Sequence, residues 1–151
     1  MAHAEEIISG LFLGNRHASH DMDFLTKNQI GLIVNCTKSL PFQTSIKTIE
    51  TLRVPVDDIL DPKDSIVLLS WMPHILQVLS TALLSRKRVL VHCRQGRQRS
   101  ATVVACYLML VNNWGVKQSI VFVNRKRQVA FRPKVNFHYT LQNFYAQINS
   151  V

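Results

Sequence analysis

The segment from Val89 to Val111 constrains the fold more than any other part of this 151-residue chain. It begins with the apolar run Val89-Leu90-Val91, which is typical of a strand buried on both faces of a sheet. It ends with Ala101 to Val111, which is apolar on nearly every side, as in a helix of the core. Between them lies a short loop that contains one glycine and several arginines. This order of strand, loop and buried helix predicts an α/β domain.

The loop between this strand and this helix reads His92-Cys93-Arg94-Gln95-Gly96-Arg97-Gln98-Arg99-Ser100. A loop that leads into a helix aims its backbone N–H groups at one point, which suits it to bind an anion. Cys93 precedes the helix N-terminus and is surrounded by cations, which lower the pKa of a thiol and favour the thiolate. Cys93 is therefore the candidate nucleophile. The alternative interpretation is a buried structural thiol beside a solvated basic turn.

The other loop residues are suited to hold a phosphate beside that sulfur. The planar fork of Arg99 can pair two phosphate oxygens at once, and the five residues between it and Cys93 allow it to reach them. Gly96 permits a positive φ where the amides converge. The residues expected to line the phosphate site are Arg94, Gln95, Gly96, Arg97, Gln98 and Ser100. Ser100 is expected either to cap the helix or to donate a hydrogen bond to the sulfur.

Strand-like and helix-like patterns alternate along the rest of the chain. Apolar runs predict strands at Ile7-Ile8 with Leu11-Phe12-Leu13, at Leu32 to Cys36, and at Leu52 to Val56. Helical spacing predicts helices after Asp21 or Ser19, at Ser65 to Leu84, at Val116 to Lys126, and at Phe137 to Ile148. Pro73 requires the second of these either to bend or to begin near Ser70. The pattern predicts one domain over residues 1–151, with a central, mostly parallel sheet flanked by helices.

Charge is distributed unevenly along the chain, whose net charge is +9. All nine acidic residues lie at or before Asp64, and twelve of the eighteen basic residues follow it. This asymmetry favours an anionic partner, such as a phosphoprotein, a lipid headgroup or a nucleic acid. Arg125 to Arg127, together with Arg132 and Lys134, are the residues of an alternative nucleic-acid surface, but no aromatic residues interleave the basic run for base stacking. We interpret Arg125 to Arg127 as a solvated helix end, where cations complement the helix dipole.

Several other classes of protein are not favoured by the sequence. The longest apolar stretches are shorter than the ~20 residues of a membrane span. The N-terminus lacks the basic start and apolar run of a secretory signal, so an intracellular location, cytoplasmic or nuclear, is expected. Cys36, Cys93 and Cys106 do not form a disulfide framework and are expected to be reduced. The six histidines lack metal-ligand spacing, and no nucleotide fingerprint is present, so no metal or cofactor is expected.

The loop from His92 to Ser100 resembles the active-site signature of the protein tyrosine phosphatase superfamily, in particular of its dual-specificity branch. Weaker matches extend over nearly the whole chain, at Ile8 to Asn15, Gly31 to Thr37, Ala105 to Met109 and Arg132 to Phe137. The resemblance implies a protein tyrosine phosphatase-like fold. It also implies that Cys93 attacks phosphorus to give a cysteinyl-phosphate, which water then hydrolyses.

The resemblance further implies an aspartate that protonates the leaving oxygen and then activates the water. In the family this acid often follows a strand that ends in an apolar-Pro-apolar tripeptide, and Val54-Pro55-Val56-Asp57-Asp58 places Asp58 there. In family members the acid usually lies slightly nearer to the cysteine along the sequence than Asp58 does, and this spacing favours Asp61. We favour Asp58 because the strand end fixes position more tightly than a count across a helix. Asp61 remains the alternative, and Asp64 is expected to cap the helix.

The resemblance implies phosphotyrosine and phosphoserine or phosphothreonine in proteins as substrates. Arg94 and Arg97 are unusual for that branch and favour a substrate with more charge than one phosphomonoester. The alternative is therefore a phosphoinositide or an RNA 5′-phosphate, although those branches usually have Thr-Gly where this chain has Ser100-Ala101. A disulfide from Cys93 to Cys36 or Cys106 under oxidation is a further feature that the superfamily allows.

Overall fold

A five-stranded sheet in the order β1-β2-β5-β3-β4 organises the computed structural model, which describes residues 2–150. The strands are β1 (Ala4–Ile8), β2 (Leu11–Gly14), β3 (Ile30–Asn35), β4 (Glu50–Arg53) and β5 (Arg88–His92). The helices are α1 (Met22–Lys27), α2 (Pro62–Leu84), α3 (Arg99–Asn112), α4 (Val116–Lys126) and α5 (His138–Asn149). β1 pairs antiparallel with β2, and the other neighbouring strands are parallel, which confirms the predicted α/β fold with a mostly parallel sheet. The domain predicted over residues 1–151 stays a prediction, because Met1 and Val151 lie outside the described residues.

The two faces of the sheet are covered by different helices. In β5, Val89 and Val91 belong to the larger core, which the sheet forms with α2, α3 and α5. Leu90 points to the opposite face and joins a smaller core that includes Leu25 of α1. This alternation follows from the two-residue repeat of a strand, and burial on both faces explains why β5 is apolar throughout.

Helix α3 runs through the centre of the larger core. Every residue from Ser100 to Met109 is buried, in agreement with its predicted position. The helix packs against β5, α2, α4 and α5. Because β5 and α3 are both enclosed, the loop that joins them has fixed ends.

Helix α2 begins earlier than the sequence predicts. It begins at Pro62, with the Asp61 carboxylate accepting from the Lys63 N–H as the N-cap, so Asp64 is not the cap. Of the two alternatives that the sequence left open for Pro73, the structure has the interior position, and the helix does not begin near Ser70. An interior proline costs about 3 kcal/mol. Burial of residues on both sides of it, including Met72 and Ile75, offsets that cost.

The same helix bears on the prediction that the chain lacks a membrane span. At 23 residues, α2 is long and apolar enough to cross a bilayer by length and composition alone. One face of it, however, is buried in the core through Leu68, Met72, Ile75 and Leu79. A core helix passes the same test of length and composition.

The chain between β4 and α2 crosses the edge of the sheet where the parallel strands end. β4 stops at Arg53, earlier than the predicted Val56, and the Val54 N–H makes one more bond to the Asn35 carbonyl. Val54 and Val56 are buried, which anchors the start of the crossing segment. The buried Asp64 carboxylate accepts from the Ile59 N–H at 3.0 Å and holds the other end. Asp58 therefore lies near the loop that follows β5, in a cavity that Cys93 also lines.

Candidate active site

The loop between β5 and α3 is a tight turn at the carboxyl edge of the sheet. β5 ends at His92 and α3 begins at Arg99, so residues 93–98 form the whole connection. Helix α3 begins two residues earlier than predicted, and its N-cap residue, Gln98, makes no side-chain cap. The N-terminus of a buried helix therefore opens directly into this loop, which favours an anion there.

The carbonyl groups of the loop are bound by the surrounding protein. The Arg94 carbonyl accepts from the Arg16 N–H at 3.1 Å, and the Arg97 carbonyl accepts from the Phe131 N–H at 2.6 Å. The carbonyls of Gln95 and Gly96 accept from one guanidinium, that of Arg127. Since the C=O and N–H of a trans peptide point in opposite directions, this arrangement turns the N–H groups towards the other side.

Gly96 is required by both backbone conformation and space. Its φ is +67°, a region that residues with a side chain rarely adopt. A Cβ at this position would lie 2.4 Å from the carbonyl oxygen of Gly14. The close approach of the loop to β2 therefore depends on glycine.

The Cys93 thiol lies at the base of the loop and is only 3% exposed. Burial alone would raise its pKa. The nearby Arg99 cation, the Ser100 hydroxyl and the backbone N–H groups of Ser100 and Gly96 outweigh burial, so the pKa falls below its ordinary value. Ser100 Oγ is 3.1 Å from Cys93 Sγ, and its hydroxyl is the donor when the sulfur is a thiolate. Of its two predicted roles, Ser100 therefore takes the contact with sulfur.

His92 contacts the loop through one ring nitrogen. Nδ1 lies 3.1 Å from the Cys93 carbonyl oxygen and donates to it when protonated. Nε2 is buried without a hydrogen-bond partner among residues 2–150. Burial lowers the pKa of His92 to about 4, although the bond to the Cys93 carbonyl opposes that shift. The ring is therefore neutral at physiological pH.

Arg99 extends from the first turn of α3 into the same space as Cys93. Its Nη1 donates to the Val56 carbonyl at 3.0 Å, which anchors the guanidinium against the crossing segment. Its Nε is buried and has no acceptor within the described residues 2–150. One edge of the guanidinium is thus fixed by the protein, and a donor remains for an oxyanion.

A cavity of about 310 Å³ connects the loop with the crossing segment. Asp58 lines it together with Cys93 and Arg99, and Asp58 Oδ1 accepts from Asn136 Nδ2 at 3.0 Å. Asp61 lines a neighbouring cavity instead and serves as the N-cap of α2. Of the two candidate acids, Asp58 lines the cavity that contains Cys93, and Asp61 does not.

The other predicted loop residues occupy different parts of this site. Arg94, Gln95 and Arg97 line the cavity, and the first two are exposed. Gln98 is buried, and its side-chain amide is bonded to the neighbouring segment at the carbonyls of Arg132 and Lys134 and the N–H of Asn136. Gln98 thus supports the cavity wall, and its side-chain amide is not free to bind a ligand.

Three further residues of the cavity wall, Arg132, Pro133 and Asn136, were not predicted as site residues. They lie in the segment before α5, far from the loop in sequence. Their presence depends on tertiary packing through Gln98, which no local pattern reveals. The signals for this segment were the match of Arg132 to Phe137 with the phosphatase superfamily and the basic residues Arg132 and Lys134.

The other two cysteines are core residues. Cys36 follows β3, and its N–H donates to the His92 carbonyl at 2.8 Å, beside the nucleophile. Burial, reinforced by the negative charge of Cys93, raises the pKa of Cys36. Burial alone raises that of Cys106 in α3. Both are free thiols, and only Cys36 has a contact that places it next to the loop.

The fold and this site together are those of the protein tyrosine phosphatase superfamily. The family described as dual specificity phosphatase, catalytic domain, matches residues 11–147. The chain therefore belongs to the dual specificity phosphatase family.

Individual relatives agree with that assignment. The chain is 30% identical to human dual specificity protein phosphatase 8 over 131 residues, which cover 87% of this chain and 20% of that protein. It is 34% identical to Drosophila melanogaster dual specificity protein phosphatase Mpk3 over 95% of this chain and 34% of that protein. The chain thus spans only a fifth to a third of the length of these two relatives. The crystal structure of human DUSP28 aligns with a TM-score of 0.88 at 25% identity, covering 99% of this chain and 97% of that one.

Proposed function

We propose that this protein hydrolyses phosphotyrosine and phosphoserine or phosphothreonine in proteins through a cysteinyl-phosphate intermediate. The observation that carries the proposal is the common cavity of Cys93, Arg99 and Asp58, with the sulfur at its base. Family membership supports the activity. The lowered pKa of Cys93 supports its role as a nucleophile, because it favours the thiolate.

In the first step, Cys93 Sγ forms a bond to phosphorus as the bond from phosphorus to the leaving oxygen breaks. Protonated Asp58 gives its proton to that oxygen. In the second step, Asp58 takes a proton from water, which attacks phosphorus and displaces the thiolate as inorganic phosphate forms. Arg99 and the loop N–H groups stabilise the charge on the equatorial oxygens in both steps.

The role of Asp58 predicts a dependence on the leaving group. Asp58→Asn removes the proton donor and keeps a side chain of the same shape. We expect its kcat on a phosphotyrosyl or phosphothreonyl peptide to fall by about 10²-fold or more. An activated aryl phosphate should lose much less, because its leaving oxygen departs without a proton. Steady-state kinetics on both substrates measure the difference.

Asp61→Asn is the matched comparison for that variant. Asparagine is as good an N-cap as aspartate, so α2 keeps its start while the carboxyl group is lost. We expect Asp61→Asn to retain the kcat of the wild type on both substrates. A leaving-group-dependent loss in Asp61→Asn, together with equal activity of Asp58→Asn on both substrates, would move the acid to Asp61.

A second candidate substrate, a polyanion that is not a protein, is favoured by one specific observation. Four arginines line the cavity, namely Arg94, Arg97, Arg99 and Arg132, and Asp58 is the one carboxylate among its lining residues. This excess of positive charge suits negative groups close to the scissile phosphate, whether acidic side chains, the phosphates of a phosphoinositide or those of an RNA 5′ end. Protein substrates stay first because the relatives are described as protein phosphatases.

The excess of positive charge in the cavity predicts that the enzyme prefers substrates with acidic groups next to the phosphate. In Arg94→Ala with Arg97→Ala, kcat/KM on a phosphopeptide with acidic flanks should fall about tenfold, since each solvent-accessible charge contributes roughly 0.5–1 kcal/mol. A peptide with neutral flanks should lose less, and added salt should shrink the gap. Lys117→Ala, an exposed cation on α4, is the control. If a phosphoinositide or a 5′-triphosphorylated RNA is turned over faster than every phosphopeptide, the proposed substrate becomes that polyanion and is no longer a phosphoprotein.

A further inference from the structure

Arg127 is a buried cation behind the phosphate loop, on the side opposite the cavity. Its side chain is 1% exposed, although the sequence predicted a solvated helix end for this residue. It ends α4 as the C-cap residue, and its N–H donates to the Val123 carbonyl. A buried guanidinium without partners is strongly destabilising. The groups that Arg127 binds therefore indicate its role in the structure.

The guanidinium joins two parts of the chain that are distant in sequence. Nη2 donates to the Gln95 carbonyl at 3.0 Å, and Nε donates to the Gly96 carbonyl at 2.9 Å. Nη1 donates to the Ala2 carbonyl at 3.1 Å and to the Glu5 carboxylate at 2.7 Å. Arg127 therefore holds two successive carbonyls of the loop from the outside and ties them to β1.

One of these carbonyls belongs to the peptide unit that contacts the nucleophile. The Gln95 carbonyl and the Gly96 N–H are the two ends of a single peptide group. Arg127 binds the carbonyl end, and the N–H end is one of the backbone groups that lower the pKa of Cys93. Hydrogen bonds at both ends of a peptide group polarise each other, and a fixed carbonyl fixes the direction of the N–H.

We propose that Arg127 is a positioning residue that orients the Gln95–Gly96 peptide so that its N–H faces the Cys93 sulfur and the bound phosphate. This inference rests on the proposed function for its effect on turnover. Arg127 does not touch the substrate, because the loop lies between it and the cavity. Glu5 fixes the direction of the guanidinium from β1 and compensates its charge.

The test compares Arg127→Lys and Arg127→Met with the wild-type chain by two measurements. The first is the pH dependence of Cys93 alkylation by iodoacetamide, followed by peptide mass spectrometry, which reports the thiolate without any turnover. The second is kcat and KM on an aryl phosphate. We expect the alkylation midpoint to move to higher pH in both variants, and further in Arg127→Met. We expect kcat/KM to fall by about tenfold to a hundredfold.

Lysine retains the charge but concentrates its donors on one nitrogen, so it cannot reproduce the separate bonds from Nε and Nη2. Arg125→Met, an exposed arginine on the same helix, controls for the loss of a cation and should leave both measurements unchanged. Thermal melting establishes that each variant is folded. If Arg127→Met does not fold, Arg127→Lys decides.

A folded lysine variant with the alkylation midpoint and kcat/KM of the wild type would overturn the proposal. Loss of folding in both variants would also overturn it, because Arg127 would then serve the stability of the whole domain. The proposed function fails separately, if the wild type hydrolyses no phosphoester. A shifted alkylation midpoint in the variants would then still support the orientation of the peptide by Arg127.

Discussion

Cys93→Ser is expected to lower kcat/KM on phosphopeptides by about 10⁴-fold or more, as the loss of a nucleophile does in other covalent enzymes. A serine hydroxyl stays protonated at neutral pH, and the surroundings of Cys93 are not sufficient to ionise it. The loop N–H groups and Arg99 remain, so phosphate should still bind. Steady-state kinetics and isothermal titration with inorganic phosphate measure the two properties in one variant.

Cys106→Ser is the matched control for that experiment. Cys106 is buried within α3, and the cavity is lined by other residues. The same replacement there introduces a hydroxyl into the core and should cost stability without removing the nucleophile. We expect its kcat to stay within a few-fold of the wild type at a temperature where it is folded. Turnover near the wild-type level in Cys93→Ser would refute the proposed chemistry.

The sequence predicted those parts of the fold whose signals are local. β5 and α3 are apolar on all sides, so their burial and their order could be read directly. The start of α2 could not, because Asp61 and Asp64 are both good caps. In the structure Asp61 accepts from the Lys63 N–H and caps the helix, whereas Asp64 accepts from the Ile59 N–H. Pro73 was hard to place because its cost is offset by burial elsewhere in the helix.

In the candidate site, too, the residues with a local signal were predicted and those placed by long-range packing were not. Cys93, Gly96 and Arg99 follow from spacing within one loop. Arg127 was misinterpreted because its neighbours Arg125 and Lys126 are exposed, and local sequence does not show that the third cation turns inward. Asn136 lies in a segment that matches the superfamily, but its place in the cavity wall depends on long-range bonds to Gln98 and Asp58, which local sequence does not show.

Arg99→Lys is expected to lower kcat/KM by about 10²- to 10³-fold, the loss typical of one strong oxyanion donor. Lysine keeps the positive charge beside Cys93, so the pKa of the thiol should stay below its ordinary value. It loses the fork, whose Nη1 is anchored on Val56 while Nε remains for an oxyanion. The expected signature is therefore a large fall in kcat with little change in the pH dependence of Cys93 alkylation.

This combination separates geometry from charge at the same position. If Arg99 acted only through its charge, Arg99→Lys would turn over like the wild type, and that result would contradict a role for the geometry of the guanidinium. Arg99→Ala removes both contributions, so its alkylation midpoint should move to higher pH while kcat/KM falls further. Arg88→Lys at the start of β5, where the guanidinium bonds to Asn28 and Glu6, is the matched control and should retain kcat/KM. A comparable loss in Arg88→Lys would mean that the effect arises from the packing of β5 and not from the phosphate site.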